Sequence, residues 1–324
     1  MRTTFRLVAT GLLAFLAFLA FALAACKQTA TPKEEASGGM RARSFAKPVP
    51  PAVCTDEAAR QEYTALHWWD GFDFGDSAWI AGTDSVVLEQ AFADYLGVLQ
   101  TVGTATQEES VKILLQTAER ATAPVFGHFM HLAEHYLYEA GSPLRNDALY
   151  LAAAGCLLAS PAVDETTKSR LESQAGMLRK NQPGMEAADF SYTTIGGICS
   201  RLHSLKAEYT LLFFYDPDCD VCTGVRTRLV ASPAMQRLTA NGRLKILAVY
   251  PDADTQSWLH HAAEMPEGWI TARDESGRIT TGGLYDLRGL PSLYLLDGRK
   301  RVVLKDVSPQ RVVNELERIT NYNK

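Results

Sequence analysis

The chain has 324 residues, of which 9% are aromatic and 21% charged, and its formal net charge is −5. That length leaves room for two domains beyond any leader. The composition is that of an ordinary globular protein, and no basic stretch is concentrated enough to hold nucleic acid.

Met1 to Ala25 reads as a targeting segment: Arg2 and Arg6 supply positive charge, and Leu7 to Ala25 is an unbroken run of apolar and small residues. It ends in Leu23-Ala24-Ala25-Cys26, with small residues directly before a cysteine. This resembles the lipobox of bacterial lipoproteins, which implies lipidation (diacylation, with palmitate-like chains) at Cys26. The alternative is an uncleaved transmembrane anchor, since such a run nearly spans a bilayer. A cysteine at the end of the run and the polar tail after it argue for the lipoprotein. Either way the remainder is expected outside the cytoplasm, in the cell envelope. Lys27 does not resemble the usual inner-membrane retention signal, which points to the outer membrane and leaves periplasmic or surface face open.

Residues 27–52 are rich in Lys, Thr, Pro, Glu, Ser and Gly, a composition that buries no core and predicts an extended, flexible tether. From about 54 to 182 the apolar residues recur at helical spacing. Helices are expected over roughly 56–69, 86–103, 107–121, 124–140, 145–159 and 164–181, with breaks at Gly141-Ser142-Pro143 and Ser160-Pro161. After Asn181-Gln182-Pro183-Gly184 the pattern changes. Thr210 to Tyr215, Leu244 to Tyr250, Leu293 to Leu296 and Arg301 to Lys305 read as strands, the last two joined across Asp297-Gly298. Helical stretches at 220–239, 255–264 and 309–320 lie between and after them, which predicts an α/β sheet with parallel pairs.

Besides Cys26 the chain has Cys54, Cys156, Cys199, Cys219 and Cys222, an odd number that argues against a purely structural disulfide framework. Cys219 and Cys222 have CxxC spacing and follow a buried strand and a tight turn. Cys219 is then expected at a helix N-terminus, where unpaired N–H groups and the positive dipole end stabilise a thiolate, the nucleophile of disulfide exchange. Cys222, one helical turn on, is close enough to resolve a mixed disulfide.

Leu211 to Tyr215 before the CxxC pair, Gly289-Leu290-Pro291 about 70 residues later, Asp297-Gly298, and Ala188-Asp189-Phe190 with Gly196-Gly197 together resemble the thioredoxin superfamily, in its extracytoplasmic TlpA/ResA-type branch. The resemblance covers about 183–324. It implies that Cys219, Cys222 and Pro291 form the catalytic site, that Pro291 is cis and packs against the cysteine pair, and that Gly289 and Leu290 belong to the substrate loop. His67-Trp68-Trp69-Asp70, Glu134 to Tyr138 and Ser142 to Asp147 resemble an uncharacterised helical domain that precedes thioredoxin modules in some Gram-negative lipoproteins. The expected architecture is an all-α N-terminal domain followed by an α/β thioredoxin-like C-terminal domain. The expected order is a signal peptide and lipobox (1–26), tether (27–52), helical domain (53–182) and thioredoxin-like domain (183–324).

Departures from thioredoxin shape the expected chemistry. Asp220-Val221 stands between the cysteines, and Asp216, Asp218 and Asp220 crowd them with negative charge, which is expected to raise the thiol pKa and favour a reducing site. Phe213 holds the position where thioredoxin keeps a buried carboxylate; Glu267, Asp274 and Glu275 are candidates for the missing proton-transfer group. Leu290 stands where the family often has Thr.

His131-Leu-Ala-Glu134-His135 matches a zinc-protease pattern but lacks a third ligand in context, so no metal site is expected. Trp68 and Trp69 read as core or domain interface, His260 and His261 as a solvated helix face, and Cys156 as a buried small hydrophobe. Cys54 and Cys199 either pair or stay free.

The leading functional reading is a membrane-anchored thiol–disulfide oxidoreductase that reduces or isomerises disulfides of extracytoplasmic proteins, needs no bound cofactor and, as a reductase, draws on a membrane electron donor. The alternatives are a metallochaperone using the two thiolates as ligands, and a partner-binding lipoprotein with a non-catalytic disulfide. A peroxidase fits poorly, because Asp216 stands where such sites want Thr or Ser.

Overall fold

The computed structural model describes residues 43–252 and 254–322, so Cys26 and the predicted targeting segment lie outside the described residues. The first half is helical: α1 (Glu57–Leu66), α2 (Gly82–Leu99), α3 (Thr104–Glu119), α4 (Ala123–Leu137), α5 (Asp147–Ala159) and α6 (Glu165–Leu178). Each expected helix is present, with ends shifted by a few residues. Short polar side chains set several starts: Asp56 accepts the Ala59 N–H, Asn146 those of Ala148 and Leu149, and Asp164 that of Thr167. On α4, Val125, Phe126, Phe129, Leu132, Ala133 and Leu137 form one buried stripe. Trp68 and Trp69 are buried, and Trp69, Phe72, Phe74 and Phe92 all pack their rings on Phe129.

Residues 43–52 of the expected tether carry no helix or strand, yet they lie along the helices. Phe45 stacks on Trp68 at 5.7 Å, Lys47 pairs with Asp94 at 2.7 Å, and Arg43 pairs with Asp84 at 3.2 Å. One aromatic residue flanked by two cations joins this stretch to the Trp68–Trp69 turn after α1 and to the acidic side chains of α2.

The second half is a mixed sheet. Its strands are β1 (Ser191–Thr194), β2 (Cys199–Arg201), β3 (Tyr209–Phe214), β4 (Leu244–Tyr250), β5 (Ile270–Arg273), β6 (Ser292–Asp297) and β7 (Val302–Lys305), in the order β2-β1-β5-β4-β3-β6-β7. β3 pairs in parallel with β4 and antiparallel with β6. Its alternation serves both faces: Leu211 and Phe213 enter one core, Leu212 and Phe214 the other. The helices are α7 (Asp220–Val230), α8 (Pro233–Ala240), α9 (Thr255–His261), α10 (Arg278–Thr281) and α11 (Pro309–Tyr322).

One expected helix divides in two, and three short strands add to the four expected. The stretch 220–239 is two helices, because Pro233 cannot continue the hydrogen-bond ladder and Ser232 caps the new start by accepting the Met235 N–H. The short strands β1, β2 and β5, at three or four residues each, carry too little alternation to be read as strands by periodicity alone.

Phe129 is fully buried at the centre of the aromatic cluster. Phe129→Ala is expected to cost about 3–5 kcal/mol in urea unfolding followed by circular dichroism; a loss below about 1 kcal/mol would show that the cluster is not the helical core.

Candidate active site

β3 runs out at Phe214, and the chain turns through Tyr215-Asp216-Pro217-Asp218 into α7. The turn is held locally: the Asp216 carboxylate accepts the Asp218 N–H at 2.8 Å, and the Asp216 carbonyl accepts the Cys219 N–H at 3.3 Å. Cys219 is the N-cap of α7, and its sulfur accepts the Cys222 N–H at 3.1 Å. A sulfur in that place satisfies one of the helix's free donors and sits at the positive end of its dipole. Cys219 is half-buried, whereas Cys222 is only 3% exposed, packed with Phe213 and Leu229. Both are free thiols, as are Cys54, Cys156 and Cys199.

The opposite wall comes from the segment leading into β6. Because Phe214 pairs with Ser292, the two chains leave the sheet side by side. The Leu290–Pro291 peptide bond is cis, and the Leu290 carbonyl lies 3.9 Å from the Cys219 sulfur. An open recess beside Cys219 is lined by Asp216, Asp218, Leu287, Arg288, Gly289 and Leu290. The structure thus brings together Cys219, Cys222, Gly289, Leu290 and Pro291.

Burial, and then the hydrogen bond with Cys219, push the Cys222 thiol up to about 12; the charge of Asp216 contributes least, and the Asp216 backbone N–H pulls the other way. The raised thiol pKa expected from the acidic residues is present at Cys222, but dehydration is its main cause. The acidic field registers more clearly at Tyr250, whose hydroxyl is pushed up to about 12 by burial, then by Asp252, Asp216, Asp254 and Asp218.

The carboxylates suggested for proton transfer are elsewhere. Asp274 is buried and accepts the Ile279 and Ser276 N–H groups, Glu275 pairs with Arg273 and accepts from Thr193, and Glu267 is exposed on a turn. Phe213 is stacked on Tyr215 at 5.5 Å and meets Trp269 edge-on. The small recess behind Cys222 is instead lined by Asp216, Arg226 and His261, among others. His261 is not on a solvated face: it is half-buried, with Nε2 3.2 Å from Asp218 and Nδ1 3.1 Å from Glu264. The signal was its spacing of three from Trp258, which is buried on the same helix. His260 is exposed, as expected.

Arg288 drew no attention in the sequence. It spans from the substrate-loop segment to the helical half, donating to the Tyr138 carbonyl at 2.7 Å and to Asp147 at 2.9 Å. On the helical side, Glu134 binds Arg170 and Gln174, and His135 pairs with Glu139. Cys156 is half-buried, lining a surface groove between α3 and α5.

A solved thioredoxin-like protein from Bacteroides caccae superimposes with a TM-score of 0.79 at 32% identity, covering 85% of this chain and 98% of that one. This chain belongs to the thioredoxin-like proteins. The family described as "Domain of unknown function (DUF5106)" matches residues 23–181, which include all six N-terminal helices. A conserved protein of unknown function from Bacteroides fragilis is 47% identical, with 42% of this chain and 98% of that chain covered and a TM-score of 0.41. Nucleoredoxin from Xenopus laevis is 26% identical over 103 residues, 32% of this chain; the thioredoxin-like chain spans about a quarter of that relative's length (24%). Other similar structures are named thiol-disulfide oxidoreductases.

In the reduced thioredoxin-like protein at about pH 8, iodoacetamide is expected to modify Cys219 and spare Cys222. Because folding raises the Cys222 pKa, the folded state holds its proton more tightly. That contribution to stability is complete below the ordinary value of 9.0 and is lost as pH climbs towards about 12. Peptide mapping of the alkylated protein checks this; equal labelling of both thiols at about pH 8 would contradict it.

Proposed function

We propose that the protein is a thiol–disulfide oxidoreductase of the TlpA/ResA type, held in the cell envelope by lipid on Cys26, that reduces or isomerises disulfides of other extracytoplasmic proteins. One observation carries the reading. The Cys219 sulfur sits between a donor, the Cys222 N–H at 3.1 Å, and an acceptor that a polypeptide backbone can extend, the Leu290 carbonyl at 3.9 Å. A nucleophile and a docking edge therefore meet at one atom.

The steps follow from those positions. The Cys219 thiolate attacks one sulfur of the substrate disulfide, forming a mixed disulfide and releasing the other substrate sulfur as a thiolate. Cys222 then gives its proton to the substrate thiolate just released and attacks the Cys219 sulfur, which forms the Cys219–Cys222 disulfide and releases the second substrate thiolate. Two electrons pass to the substrate, and a membrane dithiol donor restores the pair. Burial pushes the Cys222 thiol up to about 12, so it stays protonated while Cys219 makes the first attack. The raised Cys222 thiol, pushed up mainly by burial, supports the reducing direction.

The test is a redox titration of residues 27–324, which leave out Cys26, read by alkylation and mass spectrometry. Cys219 and Cys222 are expected to interconvert as one two-electron couple within roughly −120 to −270 mV, towards the reducing end. A pair that stays closed below about −300 mV, or a metal that blocks alkylation, would overturn the reading. Cys219→Ser is expected to abolish reduction of insulin disulfides, and Cys222→Ser to trap the mixed disulfide on Cys219. Turnover by the Cys219→Ser variant would remove Cys219 from the chemistry.

A further inference from the structure

Three cations tie the helical half to the end of the sheet that carries the cysteines. Lys305 donates to the Leu178 carbonyl at 2.5 Å, and Arg145 reaches Asp306 at 2.9 Å. Asp306 is itself held by the Ser292 hydroxyl at 2.8 Å, one residue past Pro291. Arg288 is the third. Its side chain is only 11% exposed, pairs with Asp286 and Asp147 at 2.9 Å each, donates to the Tyr138 carbonyl, and lies 4.1 Å over the Tyr138 ring. Tyr138 and Asp147 flank the loop between α4 and α5.

Backbones also meet at this boundary. A Cβ added to Gly289 would fall 2.7 Å from the Cβ of Ala140, inside any real carbon–carbon contact. Gly289 and Leu290 are thus pressed on one side by the α4–α5 loop and present their other side to Cys219. The same loop, through Ala140 to Pro143, lines a groove with Val221, Val225 and Pro291.

We propose that Arg288 is a positioning residue of the redox site, through which the helical domain fixes the Gly289–Pro291 segment against Cys219 and so sets how well a polypeptide chain docks there. This rests on the proposed function above in taking that segment as the substrate's docking edge. Four bonds or contacts from one planar guanidinium, all in a water-poor boundary, hold a loop far more firmly than its own short-range contacts can. Small reagents need only the sulfur. A peptide needs the sulfur and the edge together.

The experiment uses the fully reduced full-length chain. It compares alkylation of Cys219 by iodoacetamide with that by chloroacetyl-Ala-Val-Leu amide. In Arg288→Ala and Gly289→Ala the peptide-to-iodoacetamide rate ratio is expected to fall about tenfold, because small misplacements of a docking edge are costly. Asp147→Asn, acting from the helical side, is expected to lower the ratio as well. Adding Ala140→Gly to Gly289→Ala removes the colliding methyl and is expected to restore the ratio to within about twofold of the wild type. An unchanged ratio in folded Arg288→Ala, or no rescue by Ala140→Gly, overturns the proposal. If Arg288→Ala fails to fold, the Ala140/Gly289 pair decides, because it leaves the charged cluster intact. Alkylation needs no redox turnover, so a structural disulfide in the titration would sink the oxidoreductase reading while this comparison still tests the brace.

Discussion

Phe214 on β3 lies opposite Ser292 on β6, and the site depends on that antiparallel pairing. It fixes where two chains leave the sheet: one turns through Asp216 into the helix capped by Cys219, and the other arrives through Gly289, Leu290 and Pro291. A shift of one residue in this register would turn Phe213 and Phe214 to the wrong cores and carry the Leu290 carbonyl away from the sulfur. Two filled cores, one on each face of β3, oppose such a slip.

From that pairing the electrostatics follow. The sulfur of Cys219 takes a helix donor that would otherwise lack a partner, while Cys222 is pressed into apolar surroundings behind it. One thiol is thus partly accessible and hydrogen-bonded to the helix end; the other is dehydrated. Two chemically identical side chains acquire different roles from their depth alone. The acidic residues around the opening act over a longer range and, at Cys222, count for less than burial.

Much of this was legible in the sequence because local rules and the global fold agree. The helical periodicity of Val125 to Leu137, the apolar run Leu211 to Phe214 and the turn at Asp297-Gly298 each predict one element, and the structure holds it. CxxC after a strand, with Pro291 before another, located the partners of Cys219. What was not legible depends on long-range contacts. Arg288 looks like a solvated charge in sequence, and only the fold brings it to Tyr138 and Asp147. His261 was assigned to solvent because two adjacent histidines have no clear side; the buried Trp258 decides it. None of the proton-transfer candidates lines the recesses beside the cysteines, and Asp274 has a local duty, capping a turn, that uses its oxygens. Phe45 was hidden by the polar residues around it.

The clamp on Arg288 has a direction in time. Its acceptors, at Tyr138 and Asp147, are made about 140 residues before it, and domains fold as units from the N-terminal side during synthesis. The acceptors of the clamp are thus synthesised well before the arginine that uses them, and the loop before β6 meets them only when the chain is nearly complete. The cysteine site is therefore joined from three stretches of chain far apart in sequence, and a truncation anywhere before Pro291 would leave the dithiol without its second wall.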